Sequence, residues 1–184
     1  MHIKQFTATY KRNISGLNCR LIFLFSVVAL FSLFCHQLQA QSPFPPPSQL
    51  QVYANQELAF GSFFTGTSGG TVTISPTGTR SVTGTVVGLA LSSGSAAIFD
   101  LRLIPGRIVH IVFPVSAQLT RIGGGETMTI TNFISDKPGN SFVTTASHPF
   151  INPVQIGATL NVQNSTVNPP GDYTGTFTVT FIQE

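Results

Sequence analysis

The sequence predicts an all-β protein: an immunoglobulin-like antiparallel β-sandwich of about 7–9 strands, following a cleaved N-terminal signal helix. Three observations predict it. From Gly171 to Phe181, Tyr173, Phe177, Val179 and Phe181 alternate with threonine, the period of two of a strand with one buried and one wet face. Short runs of Val, Ile, Phe and Thr recur about every ten residues, punctuated by Gly, Pro, Asn and Ser. No amphipathic helical period follows residue 40, and the strand spacing favours a sandwich over a closed barrel.

The N-terminus sets the compartment. Lys4, Lys11, Arg12 and Arg20 precede an apolar run from Leu21 to Phe34, and a short polar stretch ends in Leu38-Gln39-Ala40. That order is the charged region, apolar region and small residue of a secretory signal peptide, so residues 1–40 are expected to be removed by cleavage between Ala40 and Gln41. The apolar run, about 14 residues, is shorter than the roughly 20 that span a bilayer as a helix. Cys35 raises lipid attachment, but Phe34 before it is far larger than the small residue such processing uses.

Cleavage changes the charge argument. Four of the nine basic residues and both cysteines, Cys19 and Cys35, leave with the leader. Arg80, Arg102, Arg107, Arg121 and Lys137 then face Asp100, Asp136, Asp172, Glu57, Glu126 and Glu184, five against six, for a formal charge of −1 in place of +3. No basic face remains to displace counterions from phosphate, so nucleic acid is not an expected partner. Disulfides and thiolate metal sites are excluded with the cysteines.

Residues 41–48 hold Pro43, Pro45, Pro46 and Pro47 and read as a stiff tether, because proline fixes φ and removes an amide donor. Residues 49–184 are the expected sandwich domain, long enough to bury a core of its own. The first strands fall at Leu50–Ala54 and Glu57–Phe64. Gly70–Ser75 follows with Val72 and Ile74 on one face, then Arg80–Leu89 with Val82 and Val86. In Ala97–Ile104, Phe99, Leu101 and Leu103 oppose Asp100 and Arg102, so one face is in water. Pro105-Gly106 turns the chain into Arg107–Phe113, with Val109, Ile111 and Phe113 inward and His110 outward. After Gly123-Gly124-Gly125, Glu126–Ile134 alternates through Met128 and Ile130. Ser135–Pro153 is polar and reads as a long loop, the economical place for a binding surface. Val154–Val162 puts Val154, Ile156, Ala158, Leu160 and Val162 on one face, and Asn164–Pro170 turns the chain into the last strand.

Catalytic readings find little support. His110 and His148 keep no metal or triad spacing with a carboxylate, and the acidic residues are scattered. No Asp-rich loop offers calcium ligands, and Ser92-Ser93-Gly94-Ser95 lacks the nucleophile-elbow pattern. Neither an enzyme activity nor a cofactor is therefore expected. Flat sugar-binding platforms favour exposed aromatics, yet tryptophan is absent, and only Tyr53 and Tyr173 remain as tyrosines after cleavage. Phe142 and Phe150, in the long loop, are the candidate exposed contact patch. Asn164-Ser165-Thr166 matches a glycosylation triplet.

A family resemblance rests on Leu58-Ala59-Phe60-Gly61, Gly69–Ser75, Arg80 with Gly84, Phe99 followed by Pro105-Gly106, Met128-Thr129-Ile130, Ile156–Leu160 and the closing Gly171-x-Tyr173-x-Gly175-x-Phe177-x-Val179. In order and spacing this set resembles the bacterial domain-of-unknown-function family numbered 4402, over roughly residues 50 to 182. The resemblance implies a secreted, immunoglobulin-like protein of Gram-negative bacteria, distantly similar at its last strand to spore-coat-U and fimbrial subunits. It brings no catalytic residues. Fimbrial subunits polymerise when an incomplete sandwich accepts a neighbour's strand. Here the alternation of Leu50, Val52 and Ala54 marks the candidate assembly strand, although prolines precede it. The expected function is thus a non-catalytic structural protein of the cell envelope or surface, fimbria-like, whose partners are like subunits or surface ligands. The alternative is an adhesion module, or one binding a small ligand or carbohydrate.

Overall fold

The computed structural model describes residues 46–90 and 92–184; the expected leader, its cut between Ala40 and Gln41 and tether residues 41–45 lie outside them. The described residues form an all-β antiparallel sandwich. In chain order the strands are β1 (Gln51–Gln56), β2 (Phe63–Ile74), β3 (Arg80–Gly88), β4 (Ala97–Arg102), β5 (Ile108–Val112), β6 (Ala117–Arg121), β7 (Thr127–Ser135), β8 (Ser141–Val143), β9 (Ile151–Val162), β10 (Tyr173–Thr174) and β11 (Thr180–Gln183). β9 is the spine. One of its edges pairs with β4 and then β2, the other with β7, and β1, β3, β6 and β10 extend this into an eight-stranded sheet. A second sheet has three strands in the order β11-β5-β8.

Period-two patterning becomes burial where the sequence is most regular. Val154, Ile156, Ala158, Leu160 and Val162 of β9 are all buried on one face, as are Val72 and Ile74 of β2. The opposite face is a field of hydroxyls: Thr71 Oγ1 lies 2.7 Å from Thr83 Oγ1, and Thr73 Oγ1 lies 3.0 Å from Thr159 Oγ1. In β7 the register shifts between Thr131 and Ile134, with Asn132 at φ 51°. This bulge moves the inward face from Met128 and Ile130 onto Phe133 and Ser135 and leaves Ile134 exposed.

The core has two parts. One, built on Ala97, Leu101, Leu103, Val109, Ile111, Val154 and Ile156, lies between β4 and β9 of the large sheet and β5 of the small one. The other holds Val72, Ile74, Val86, Met128, Ile130, Ala158 and Leu160 from β2, β3, β7 and β9. Leu58 and Phe133 pack against both, and Phe133 also meets Phe113 and Phe177 with ring centroids 6.2 and 5.1 Å apart. No strand of the small sheet contributes to the second core, whose inner face meets irregular chain instead.

Several boundaries differ from the sequence reading. Glu57–Ser62 is not a strand: its β-pairing is a single bridge between Ala59 and Ser95, and it is otherwise held by Leu58 and Phe60 in the core and by hydrogen bonds to its carbonyls. β2 runs unbroken in sequence from Phe63, with a register shift between Thr65 and Gly70. β6 lies in a stretch assigned no strand, and the polar excursion contains a 3₁₀ turn at Pro138–Asn140 and the short β8. The segment read as one C-terminal strand is two: β10 pairs with β6 in the large sheet, β11 pairs with β5 in the small one, and Gly175–Val179 crosses between them. These splits and additions raise the strand count to eleven.

Candidate functional site

Because the small sheet covers only part of the large one, the remaining inner face is left under an open groove of about 940 Å³. Leu119, Met128, Ile130 and Leu160 form its floor. One wall is the irregular stretch Gln56–Ser62 continuing into Phe63, Phe64 and Thr65, and the other is Asn168–Phe177.

Polar side chains hold both walls in place. Arg80 reaches from β3 to the first: its Nη1 donates to the carbonyls of Ser92 (2.6 Å), Ser62 (3.1 Å) and Phe60 (3.5 Å), and its Nη2 to Leu89 (2.7 Å). A guanidinium suits this task because its donors fan out in a rigid plane. Gln56 Nε2 adds a bond to Ala96 O at 2.7 Å. In the second wall, buried Asn168 accepts from Gln163 N (2.7 Å) and donates to Thr127 O (2.9 Å), so a turn stays fixed to β7. Arg121 Nε donates to Pro170 O, Tyr173 Oη to Pro169 O and Ile122 N to Asp172 O. Burial, followed by the charge of Glu126, raises the Tyr173 phenol above its ordinary 10.0. The Glu126 carboxyl lies below its ordinary 4.5, first through the hydrogen bond from its own backbone N–H and also through Arg121.

Along the second wall the backbone changes character. Gly175–Val179 has no backbone hydrogen bond to any described residue, although it carries the alternation Thr176, Phe177, Thr178, Val179. Phe177 and Val179 turn into the core, so the strand is seated by its side chains while its amide edge stays unpaired. Among the lining residues Glu57 and Asp172 are charged, and none is basic. The site is an apolar trough with an acidic rim, beside a segment whose backbone amides are unpaired among the described residues.

The residues expected to form sites are placed as follows. Of Leu50, Val52 and Ala54, Leu50 packs on the core, and Val52 and Ala54 lie in β1, which pairs with β4 from Gln51↔Arg102 to Gln56↔Ile98. All six residues of β1 remain exposed, and Ala54 reaches the groove's near end. Phe142 does not form an exposed patch, since it packs on the core with Lys137 Nζ 5.4 Å from its ring centroid. Phe150 is half-buried at φ 65°, edge-on to His148 at 5.7 Å. The structure brings neither ring to the groove. His110 lies 3.2 Å from Glu184, while Asn164 Oδ1 accepts from Thr166 N and Val167 N and so shapes its own turn. Among the described residues, no three of His, Cys, Asp and Glu converge as metal ligands, and no helix is long and apolar enough to cross a membrane.

The trough itself was not legible in the sequence. Its floor residues alternate like any half-covered strand, and only the missing cover distinguishes them. Phe60, Tyr173 and Phe177 of its walls are among the residues that carry the family resemblance.

Comparison places the chain by its sequence. No curated protein and no solved structure matches it. Residues 50–182 match the model of a family described as Domain of unknown function (DUF4402), and the chain belongs to that family.

Proposed function

We propose that the protein is a non-catalytic structural subunit of the cell envelope or surface of a Gram-negative bacterium, secreted through its leader, whose groove accepts an extended segment of a partner chain. The observation that carries this reading is the unpaired edge of Gly175–Val179 beside an apolar floor. An added strand completes the sandwich there, its backbone pairing with the free edge and its alternate side chains filling the trough. Edges of this kind drive association unless they are covered.

A second reading has its own support. The groove is aromatic-walled and within the range of about 300–1,000 Å³ common for ligand pockets, which suits an adhesion or ligand-binding module. Size-exclusion chromatography and electron microscopy of the mature protein over a concentration series separate the two. The subunit reading expects polymers whose fraction grows with concentration. A monomer at every concentration, binding a small apolar or sugar ligand saturably, overturns it in favour of the module.

A further inference from the structure

Resting on that subunit reading, we infer that the segment seated in the groove is the proline-rich tail of a second copy of this chain, residues 41–46, held as an extended polyproline stretch rather than as a ladder strand. The folded domain spares few segments for exchange. β1 is paired to β4, and the C-terminal strand is stitched down by its ladder to β5 and by Glu184 N donating to Ile108 O.

Chain reach makes the contact intermolecular. Pro47 O accepts from Ile104 N (3.2 Å), Leu50 N donates to Gln183 Oε1 (2.9 Å) and Gln183 Nε2 to Ser48 O (3.3 Å). The tail therefore leaves the domain near the level of Gln51, which pairs with Arg102, itself level with Ile151 of β9. Leu160 in the groove floor stands nine residues farther along β9, roughly 30 Å at about 3.3 Å per residue. Six residues in polyproline conformation reach about 19 Å. Val179, at the near end of the free edge, is four residues from Gln183, about 13 Å, and within that reach; Thr176, seven residues away at about 23 Å, and Leu160 are beyond it, so the deep half of the groove is filled by a neighbour's tail.

The chemistries are complementary. Pro43, Pro45 and Pro46 present carbonyls but no amide hydrogens, whereas Gly175–Val179 contains no proline and presents free N–H groups. The tail takes bonds from that edge on one side and cannot carry a ladder further, which is why proline sits on sheet edges. Polyproline segments dock on aromatic-lined grooves with little ordering cost, and Phe63, Tyr173 and Phe177 line this one. Phe44 supplies the apolar anchor, and the new α-ammonium of Gln41 meets a rim carrying Glu57 and Asp172. Tail and groove are different surfaces, so the contact is head-to-tail and propagates as an open filament.

The mature chain has no cysteine, so single-cysteine variants read this contact directly. A Ser42→Cys chain is mixed under mild oxidation with a separately purified Thr176→Cys chain, and, as control, with a Ser81→Cys chain altered on the outer face of β3. The Ser42–Thr176 pair is expected to cross-link at least about tenfold faster than the control, and Phe44→Ala in the tail chain to return the rate to the control value. Equal rates for the two pairs overturn the tail assignment. If polymers still form, the subunit reading stands without the tail; if none form, both fall.

Discussion

At the residue scale, the groove depends on a few polar side chains that bond to backbone rather than to each other. Arg80 ties two carbonyls of the first wall, those of Phe60 and Ser62, to those of Leu89 and Ser92, and no carboxylate among its hydrogen-bond partners shares its charge. Arg80→Met removes charge-assisted bonds and leaves carbonyls unpaired, so it is expected to lower stability by about 2–4 kcal/mol, read as a shift in the urea midpoint at constant slope. Asn168→Ala is expected to lower it by about 1–3 kcal/mol for the same reason. Glu126 gives the pH dependence its sign. Its folded carboxyl lies below 4.5, so its contribution is present above that pH and is lost as the pH falls through the lower folded value. Glu126→Gln should flatten this part of an acid titration followed by thermal unfolding, whereas an unchanged acid limb would show that Glu126 contributes nothing.

At the scale of elements, the last strand shows both what the sequence reveals and where it stops. Alternation located β4, β5, β7 and β9 because their neighbours lie on both sides and most of their inward residues are buried. The same alternation runs through Gly175–Val179, yet no ladder forms there, since side-chain periodicity records burial and not backbone pairing. β6, Ala117–Arg121, went unseen because five residues of mixed polarity carry too short a pattern. In β1, Val52 and Ala54 alternate, but both are exposed, and the strand is held by backbone bonds to β4. The crossing itself depends on close approach, because a side chain at Gly175 would run into the carbonyl of Gln118. Gly175→Val is expected to cost about 1–3 kcal/mol by forcing β10 off β6, while Thr176→Val next to it stays within about 0.5 kcal/mol.

At the scale of the whole molecule, a three-stranded sheet is too narrow to cover an eight-stranded one. The resulting molecule has a solid half, with apolar side chains from both sheets, and an open half floored by Leu119, Met128, Ile130 and Leu160. No composition or spacing rule foretells this, because it comes from the absence of a strand and not from the presence of a motif. The proposed function makes this open half an acceptor whose missing edge is supplied from outside. Amide hydrogen exchange of the mature protein, dilute and assembled, tests this most directly. The amides of Gly175–Val179 are predicted to exchange rapidly in the dilute monomer and to become protected on assembly, while those of β9 are protected in both. Slow exchange of Gly175–Val179 in the monomer, or rapid exchange that assembly leaves unchanged, would contradict the account.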